Sequence, residues 1–187
     1  MIWSRPEAQV LFVCTANICR SPLAEALLRH RLGDLGLEKR VRVRSAGTQA
    51  ARRGCRPDPR VQQLAAGFGI SLAGIRARAL TPALLHNSDF VVVMAREHLD
   101  HINRVFARDA WSREGTTDGD VSEKVQLLGS FLPRRHGSAV DIPDPYYGDQ
   151  QGFYTVHQMI DSALSGFLHQ LDAFLENSET KMRGLAP

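Results

Sequence analysis

Residues 10–28, VLFVCTANICRSPLAEALL, predict a buried strand, a tight loop and a helix in immediate succession. The apolar run 10–13 is typical of a strand in a parallel sheet. Pro22 suits the first position of a helix, where a missing N–H has no cost, and the apolar residues after it recur with helical spacing. We therefore expect residues 14–21 to wrap around a helix N-terminus, where unpaired N–H groups and the helix dipole bind anions.

This loop combines a thiol with a guanidinium. A cysteine at a helix N-terminus loses its proton easily because the local field favours the thiolate, so Cys14 is a candidate nucleophile. Arg20, six positions later, can donate two hydrogen bonds to phosphate oxygens, and Ser21 can donate one to the sulfur. The spacing alone also fits a buried apolar cysteine and a surface arginine, but its place between a strand and a helix favours a phosphate site.

A candidate proton donor lies far along the chain, in the segment 141–148, DIPDPYYG. Two prolines fix the backbone around Asp144, so this loop can hold a carboxyl group over a pocket as a general acid. Asp141 is the rival carboxylate, but it lacks the flanking Pro-Tyr. Tyr146 and Tyr147 are suited to form a pocket wall and to stack on an aromatic substrate.

Strands and helices alternate along the chain. We predict strands at 10–13, 41–45, 89–94 and 125–128, and helices at 22–32, 59–67, 96–106 and 152–177. This alternation predicts an α/β fold, a doubly wound four-stranded parallel sheet with helices on both faces. The loop after the first strand then lies at the carboxyl edge of the sheet, where such folds bind ligands.

The chain of 187 residues, with 43% hydrophobic and 23% charged residues, suits one globular domain. We expect that domain to span 9–176, with a lead at 1–8, a frayed tail at 177–187 and an inserted surface loop at 109–121, in which Trp111 packs. No stretch has the character of a secretion signal or a membrane span. We therefore expect no membrane insertion. Three cysteines make no disulfide framework, which favours a reducing cytoplasm.

The net charge of +3 and the pI of about 9.0 favour acidic or phosphorylated partners. Basic residues are spread along the chain without aromatic interleaving, so nucleic acid is not an expected partner. The seven histidines suggest no metal site. His98 and His101 lie three apart on a predicted helix, and we expect both on the solvated surface.

The segments CTANICRSP and IPDPYYG together resemble the low-molecular-weight protein tyrosine phosphatase family. Further resemblances lie in SAGT at 45–48, PDPR at 57–60, DFVVVM at 89–94 and KVQLLGSF at 124–131, so the likeness covers about 9–176. The resemblance implies the flavodoxin-like phosphatase I fold. It also implies hydrolysis of phosphotyrosine in proteins, without a cofactor or metal, by a monomer or weak dimer. In bacterial relatives such substrates include tyrosine kinases that govern exported polysaccharide.

The resemblance also implies roles for individual residues. Cys14 would attack phosphorus and form a phosphocysteine, and Asp144 would protonate the leaving oxygen and then deprotonate the hydrolytic water. Arg20 would bind the phosphoryl oxygens with the loop residues Thr15, Ala16, Asn17, Ile18, Cys19 and Ser21. Within that loop Ser21 would also stabilise the thiolate, and Asn17 and Ser45 would brace the loop. Tyr146 would pack near the substrate ring.

The chain departs from the family pattern in places. Ala16 replaces a usual glycine, Ile75 replaces a histidine that braces the loop in some members, and the segment 49–53 has no aromatic residue. Arg52 and Arg53 in that segment are suited to attract acidic residues beside a phosphotyrosine. Cys19 beside Cys14 implies either redox protection by a reversible disulfide or a packing role.

Two alternatives remain open. One is a phosphoarginine phosphatase on the same scaffold, although members with that preference typically carry threonine where this chain has Ile18. The other is a phosphate-binding module without catalysis, although Cys14, Arg20 and Asp144 are all present. Thiol-coupled arsenate reduction would need two further cysteines around residues 80–100, where this chain has none.

Overall fold

The computed structural model describes residues 6–50, 52–112, 124–133 and 140–183. The strands are β1 (Ala8–Cys14), β2 (Val41–Gly47), β3 (Phe90–Val93) and β4 (Val125–Leu127). The helices are α1 (Arg20–Asp34), α2 (Pro59–Gly67), α3 (Pro82–His86), α4 (Arg96–Ser112) and α5 (Gln150–Arg183), and a 3-10 turn spans Leu128–Phe131. None of the described helices is long and apolar enough to cross a membrane.

The four strands form one parallel sheet in the order β2-β1-β3-β4. β1 lies in the middle, where Val10 is paired with Val43 on one side and with Phe90 on the other. The chain order reverses between β1 and β3, which is the switch point of a doubly wound sheet. The predicted α/β fold class is confirmed.

Side chains of β1 alternate between two cores, because successive strand residues point to opposite faces. Val10, Phe12 and Cys14 belong to the larger apolar cluster, together with residues of α1, α2 and α5. Leu11 and Val13 pack instead with residues of α3 and α4. Removal of this apolar surface from water holds helices on both faces of the sheet.

Two short helices start where local sequence dictates. Asp58 caps α2 by accepting a hydrogen bond from the backbone N–H of Arg60 at 2.8 Å, and Pro59 follows directly. Thr81 caps α3 before Pro82 in the same way. A capping side chain satisfies an N–H that has no partner within the helix, and proline needs none.

Several predicted boundaries are wrong. α1 begins at Arg20 rather than Pro22, which occupies the first turn, where N–H groups have no acceptor within the helix in any case. α4 continues to Ser112, so residues 109–112 of the predicted loop are helical, and 113–121 lie outside the described residues. α5 continues to Arg183 instead of ending in a tail at 177, because Glu179 pairs with Arg40 at 2.7 Å and the residues 177–183 include no proline or glycine.

Candidate active site

The segment between β1 and α1 forms a closed loop around the N-terminus of the helix. Cys14 ends β1 and is 3% exposed. Within the loop, Asn17 adopts a φ of 57°, a left-handed conformation that asparagine tolerates better than most residues. Ala16 does not adopt a positive φ, so the replacement of glycine there carries no backbone strain.

A pocket of about 330 Å³ lies over this loop. Its walls come from the loop, from the segment after β2 and from the segment before α5. It is lined by Cys14, Thr15, Ala16, Ile18, Cys19, Arg20, Gln49, Arg52, Asp144, Tyr146 and Tyr147. Residues that the sequence separates by more than a hundred positions therefore share one cavity.

A hydrogen bond from Asn17 to the Ser21 oxygen leaves the Ser21 proton available as a donor, with Cys14 Sγ at 2.9 Å and the Ala46 carbonyl at 3.4 Å as its acceptors. The backbone N–H of Arg78 donates to Asn17 Oδ1 at 2.9 Å, which identifies Nδ2 as the donor end. Asn17 Nδ2 donates to Ser21 Oγ at 2.9 Å, and Ser21 Oγ lies 2.9 Å from Cys14 Sγ. Since the Ser21 oxygen accepts from Asn17, its own proton is free to point at the sulfur, which stabilises a thiolate there.

A second branch of this network ends on a buried carboxylate. Asn17 Nδ2 also donates to Ser45 Oγ at 2.8 Å, and Ser45 Oγ donates to Glu25 Oε2 at 2.5 Å. Glu25 is 1% exposed, and Arg29 Nη2 lies 2.6 Å from its other oxygen as an ion pair without a directed hydrogen bond. Burial raises the pKa of Glu25, while Ser45 and Arg29 act in the opposite direction.

Gly47, the last residue of β2, allows the loop to pack against the sheet. A Cβ at this position would lie 2.6 Å from the carbonyl oxygen of Thr15 and 3.0 Å from the carbonyl carbon of Ala16. The neighbouring backbone bonds continue this contact: Thr48 N–H donates to Cys14 O at 2.9 Å and Gln49 N–H to Thr15 O at 2.8 Å. Only glycine fits this close approach.

Arg20 and Asp144 meet at the opposite side of the loop. Arg20 Nη2 lies 2.5 Å from Asp144 Oδ2, and the two side chains are 4% and 44% exposed. Arg20 Nη1 also donates to the carbonyl of Ile142 at 3.1 Å. The cation is thus fixed by the loop that carries the candidate acid.

The two candidate carboxylates have different surroundings. Asp144 lines the pocket, whereas Asp141 accepts hydrogen bonds from the backbone N–H and the guanidinium of Arg96 at 3.1 and 3.3 Å. The backbone N–H of Ile142 donates to Met94 O at 2.8 Å, which ties the loop to the end of β3. This geometry favours Asp144 as the group that faces a bound ligand.

Two tyrosines form the outer wall. Tyr146 and Tyr147 are 39% and 95% exposed, with ring centroids 5.0 Å apart in an edge-to-face arrangement. Arg60 donates to the carbonyl of Tyr146 at 3.1 Å, and its guanidinium lies 5.4 Å from the Tyr146 ring centroid. Arg60 in turn pairs with Asp58, whose backbone N–H donates to Ile18 O at 2.8 Å. The wall is therefore coupled to the phosphate loop.

His98 is part of the site, and the expectation that it lies on the solvated surface is wrong. It is 1% exposed, and its Nε2 lies 2.9 Å from Thr15 Oγ1. Burial and the nearby Arg20 charge lower its pKa to about 4. Glu25 was also missed, although a lone carboxylate among the apolar residues of α1 is a signal for a buried polar partner.

Cys19 and Ile75 occupy packing positions. Cys19 is 4% exposed, and burial together with the negative charges of Asp58 and Cys14 raises its pKa, which disfavours a second thiolate. Ile75 is 2% exposed in the larger core, so it does not take over the hydrogen bonds of a histidine. Among the described residues no group of three or more His, Cys, Asp or Glu side chains could hold a metal ion.

Comparisons with known proteins agree with this geometry. Residues 9–177 match the family described as low molecular weight phosphotyrosine protein phosphatase. A low molecular weight protein-tyrosine-phosphatase of Streptomyces coelicolor is 38% identical over 162 residues, 86% of this chain and 91% of that protein. The low molecular weight phosphotyrosine protein phosphatase of Homo sapiens is 35% identical over 161 residues, 86% of this chain and 94% of that protein.

Solved structures share the fold. YfkJ from Bacillus subtilis superposes with a TM-score of 0.74 and 29% identity, covering 91% of this chain and 97% of that chain. The YwlE arginine phosphatase from Geobacillus stearothermophilus superposes with a TM-score of 0.71 and 26% identity, covering 89% of this chain and 94% of that chain. The fold, the loop geometry and the sequence match lead to one conclusion: the chain belongs to the low-molecular-weight phosphotyrosine protein phosphatase family.

Proposed function

We propose that the chain hydrolyses phosphotyrosine in proteins at Cys14. The observation that carries the proposal is the convergence of the Cys14 sulfur, the Arg20 guanidinium and the Asp144 carboxyl group on one pocket at a helix N-terminus. A thiolate, a fixed cation and a general acid are the groups that covalent phosphoryl transfer requires.

In the first step the Cys14 thiolate attacks phosphorus, and the bond from phosphorus to the tyrosyl oxygen breaks. Asp144 gives its proton to that oxygen, so tyrosine leaves as a neutral phenol. Arg20 and the loop N–H groups bind the three peripheral oxygens, where charge accumulates. A phosphate that replaces the Asp144 carboxylate at Arg20 would free Asp144 for this role.

In the second step water attacks the phosphocysteine while Asp144 accepts a proton from it. The phosphorus–sulfur bond breaks, and the sulfur leaves as a thiolate. The Ser21 hydroxyl, 2.9 Å from Cys14 Sγ, supports this departure by donating a hydrogen bond to the developing charge. The same contact is available to the thiolate at the start of the next turnover.

The pocket walls support an aryl phosphate as substrate. Ile18 places an apolar branched side chain at the pocket, and Tyr146 offers a ring for stacking. Phosphoarginine is the second candidate, because the arginine phosphatase from Geobacillus stearothermophilus shares the fold. The guanidinium group of a phosphoarginine substrate would lose favourable hydration against Ile18, so phosphotyrosine fits the pocket better.

We further propose a cytoplasmic location, a monomer or weak dimer, and, in a bacterium, a tyrosine kinase as substrate. All three cysteines are free, as expected of a protein in a reducing compartment. Arg52 lines the pocket and is exposed, which favours acidic residues beside the phosphotyrosine. The kinase assignment depends on analogy with bacterial relatives.

The test is phosphate release by the reduced protein from matched phosphotyrosine, phosphoserine and phosphoarginine peptides. Selective turnover of phosphotyrosine that Cys14→Ser abolishes would support the proposal, and this variant should still bind the peptide. A preference for phosphoarginine would contradict the argument from Ile18. Binding without turnover by the unsubstituted protein would make it a phosphate-binding module.

A further inference from the structure

We propose that His98 is a positioning residue for phosphoryl transfer: as a neutral imidazole it fixes the Thr15 hydroxyl and, through it, the Arg20 guanidinium. The proposal rests on the proposed hydrolysis at Cys14. His98 lies on the first turn of α4, outside the loop that binds phosphate, and it is fully enclosed by protein.

The hydrogen bonds of His98 define its tautomer. The backbone N–H of Ala95 donates to His98 Nδ1 at 3.0 Å, so Nδ1 carries no proton. The single proton of the neutral ring is therefore on Nε2, which lies 2.9 Å from Thr15 Oγ1. The low pKa of about 4 agrees with a neutral ring, since burial and Arg20 both disfavour a second cation.

The Thr15 hydroxyl uses its full hydrogen-bonding capacity. Its oxygen accepts from His98 Nε2 at 2.9 Å and from Arg20 Nη2 at 3.2 Å. Its proton points towards Glu97 Oε1 at 3.4 Å. A hydroxyl has two acceptor sites and one proton, so these three contacts leave it one orientation.

The consequence concerns Arg20. Besides the ion pair of Nη2 with Asp144, Arg20 donates to two uncharged acceptors, from Nη2 to Thr15 Oγ1 at 3.2 Å and from Nη1 to the Ile142 carbonyl at 3.1 Å. These contacts orient the guanidinium without neutralising it, so its charge remains available for phosphate. Asp144 is the carboxylate that contacts Arg20, and it belongs to the reaction itself.

The turn before α4 contacts the end of β1 and the loop that carries Asp144. Met94 N–H donates to Val13 O at 3.0 Å, and Met94 O accepts from Ile142 N–H at 2.8 Å. His98 adds the side-chain contact to Thr15. Loss of the Nε2 donor would therefore loosen Thr15 while the backbone contacts of this turn remain.

Two substitutions separate the functions of the two ring nitrogens. His98→Asn keeps an acceptor for the Ala95 N–H and loses the donor to Thr15, whereas His98→Gln keeps a donor at the distance of Nε2. We expect His98→Asn to lower kcat/KM for para-nitrophenyl phosphate and to weaken binding of inorganic phosphate, each about three- to tenfold. His98→Gln should recover most of both values.

The partner substitution is Thr15→Val, which removes the hydroxyl at nearly constant volume. If His98 acts through Thr15, the double variant Thr15→Val/His98→Asn should lose no more than Thr15→Val alone. His101→Asn, on the same helix and outside this network, is the control with unchanged kinetics. Melting temperatures identify variants that fail to fold.

Wild-type kinetics for His98→Asn would overturn the proposal. So would equal losses in His98→Asn and His98→Gln that add to the loss from Thr15→Val, because a purely structural role predicts additivity and no rescue. Phosphate binding is measured by calorimetry without turnover, so the His98 result stands even if the unsubstituted protein hydrolyses nothing.

Discussion

Acid should destabilise this protein through His98, and His98→Asn should remove that part of the loss. In the folded state burial and Arg20 lower the pKa of His98 from 6.5 to about 4. In the unfolded chain the same imidazole titrates near its ordinary value of about 6.5. Between these two values the unfolded chain binds more protons than the folded protein, so stability falls as pH falls.

The size of the effect follows from the two pKa values. A shift from 6.5 to about 4 corresponds to about 3 kcal/mol at about 1.4 kcal/mol per pKa unit. This stability is fully present above the unfolded value and is lost progressively until the pH reaches the folded value. The nearby carboxylates of Glu97, Asp141 and Asp144 raise the pKa of His98, but burial and the Arg20 charge outweigh them.

Urea unfolding followed by circular dichroism at pH 7, 6, 5 and 4 measures this difference. The quantity of interest is the unfolding free energy of the wild type minus that of His98→Asn at each pH. It should decrease by about 3 kcal/mol from pH 7 to pH 4. His101→Asn is the matched control, and its pH dependence should follow the wild type, because His101 lies outside the buried network.

A constant difference across this range would refute the reasoning. It would mean that His98 accepts a proton in the folded protein as easily as in the unfolded chain. In that case burial and the Arg20 charge would not keep the ring neutral, and the Ala95 N–H would not disfavour a second proton on Nδ1. Other titrating groups are common to both proteins, so they cancel in the difference.

Three further substitutions test the site. Ser21→Ala should slow alkylation of Cys14 by iodoacetamide at pH 6 about three- to tenfold. A hydrogen bond to a charged group contributes about 1.5–3 kcal/mol, and a thiolate without this bond regains part of the loss because it is more nucleophilic. Ser130→Ala, at an exposed turn, is the control and should leave the alkylation rate unchanged. Asp144→Asn should lower kcat about a hundredfold or more for phenyl phosphate and much less for para-nitrophenyl phosphate, because the latter's leaving group needs no acid. A larger loss of kcat in Asp141→Asn would contradict the assignment of Asp144 as the general acid. Gly47→Ala should lower kcat/KM about a hundredfold, since the added Cβ would lie 2.6 Å from Thr15 O. Gly33→Ala is the control and should keep full activity, because no atom lies within 4 Å of its added Cβ. Equal activity of the two variants would show that the phosphate loop can shift to make room.

Much of the fold follows from local sequence. The apolar run before Cys14, the proline after Arg20 and the capping residues Asp58 and Thr81 act over a few residues, so their structural effects can be predicted. Helix ends were predicted less well, because α5 is extended by the pairing of Glu179 with Arg40, a contact between distant elements. Propensity alone does not contain that contact.

The chemistry of the loop and the identity of the acid follow from short motifs and their likeness to a known family. What the sequence by itself determined is therefore a strand, a phosphate loop, a helix and a carboxyl group on a stiff segment. Each of these needs only neighbouring residues to be recognised. The contact of Asp144 with Arg20, 124 positions away in sequence, depends on the tertiary fold.

Only the tertiary structure decided how the loop is supported. The strand order β2-β1-β3-β4 brings the start of α4 beside the loop, and this places His98 against Thr15, 83 positions away in sequence. The same packing buries Glu25 beneath Ser45. The sequence around a helical histidine or glutamate is the same whether solvent or another element covers the side chain. Its burial, tautomer and pKa are therefore decided by residues that are distant in sequence and that only the fold brings close.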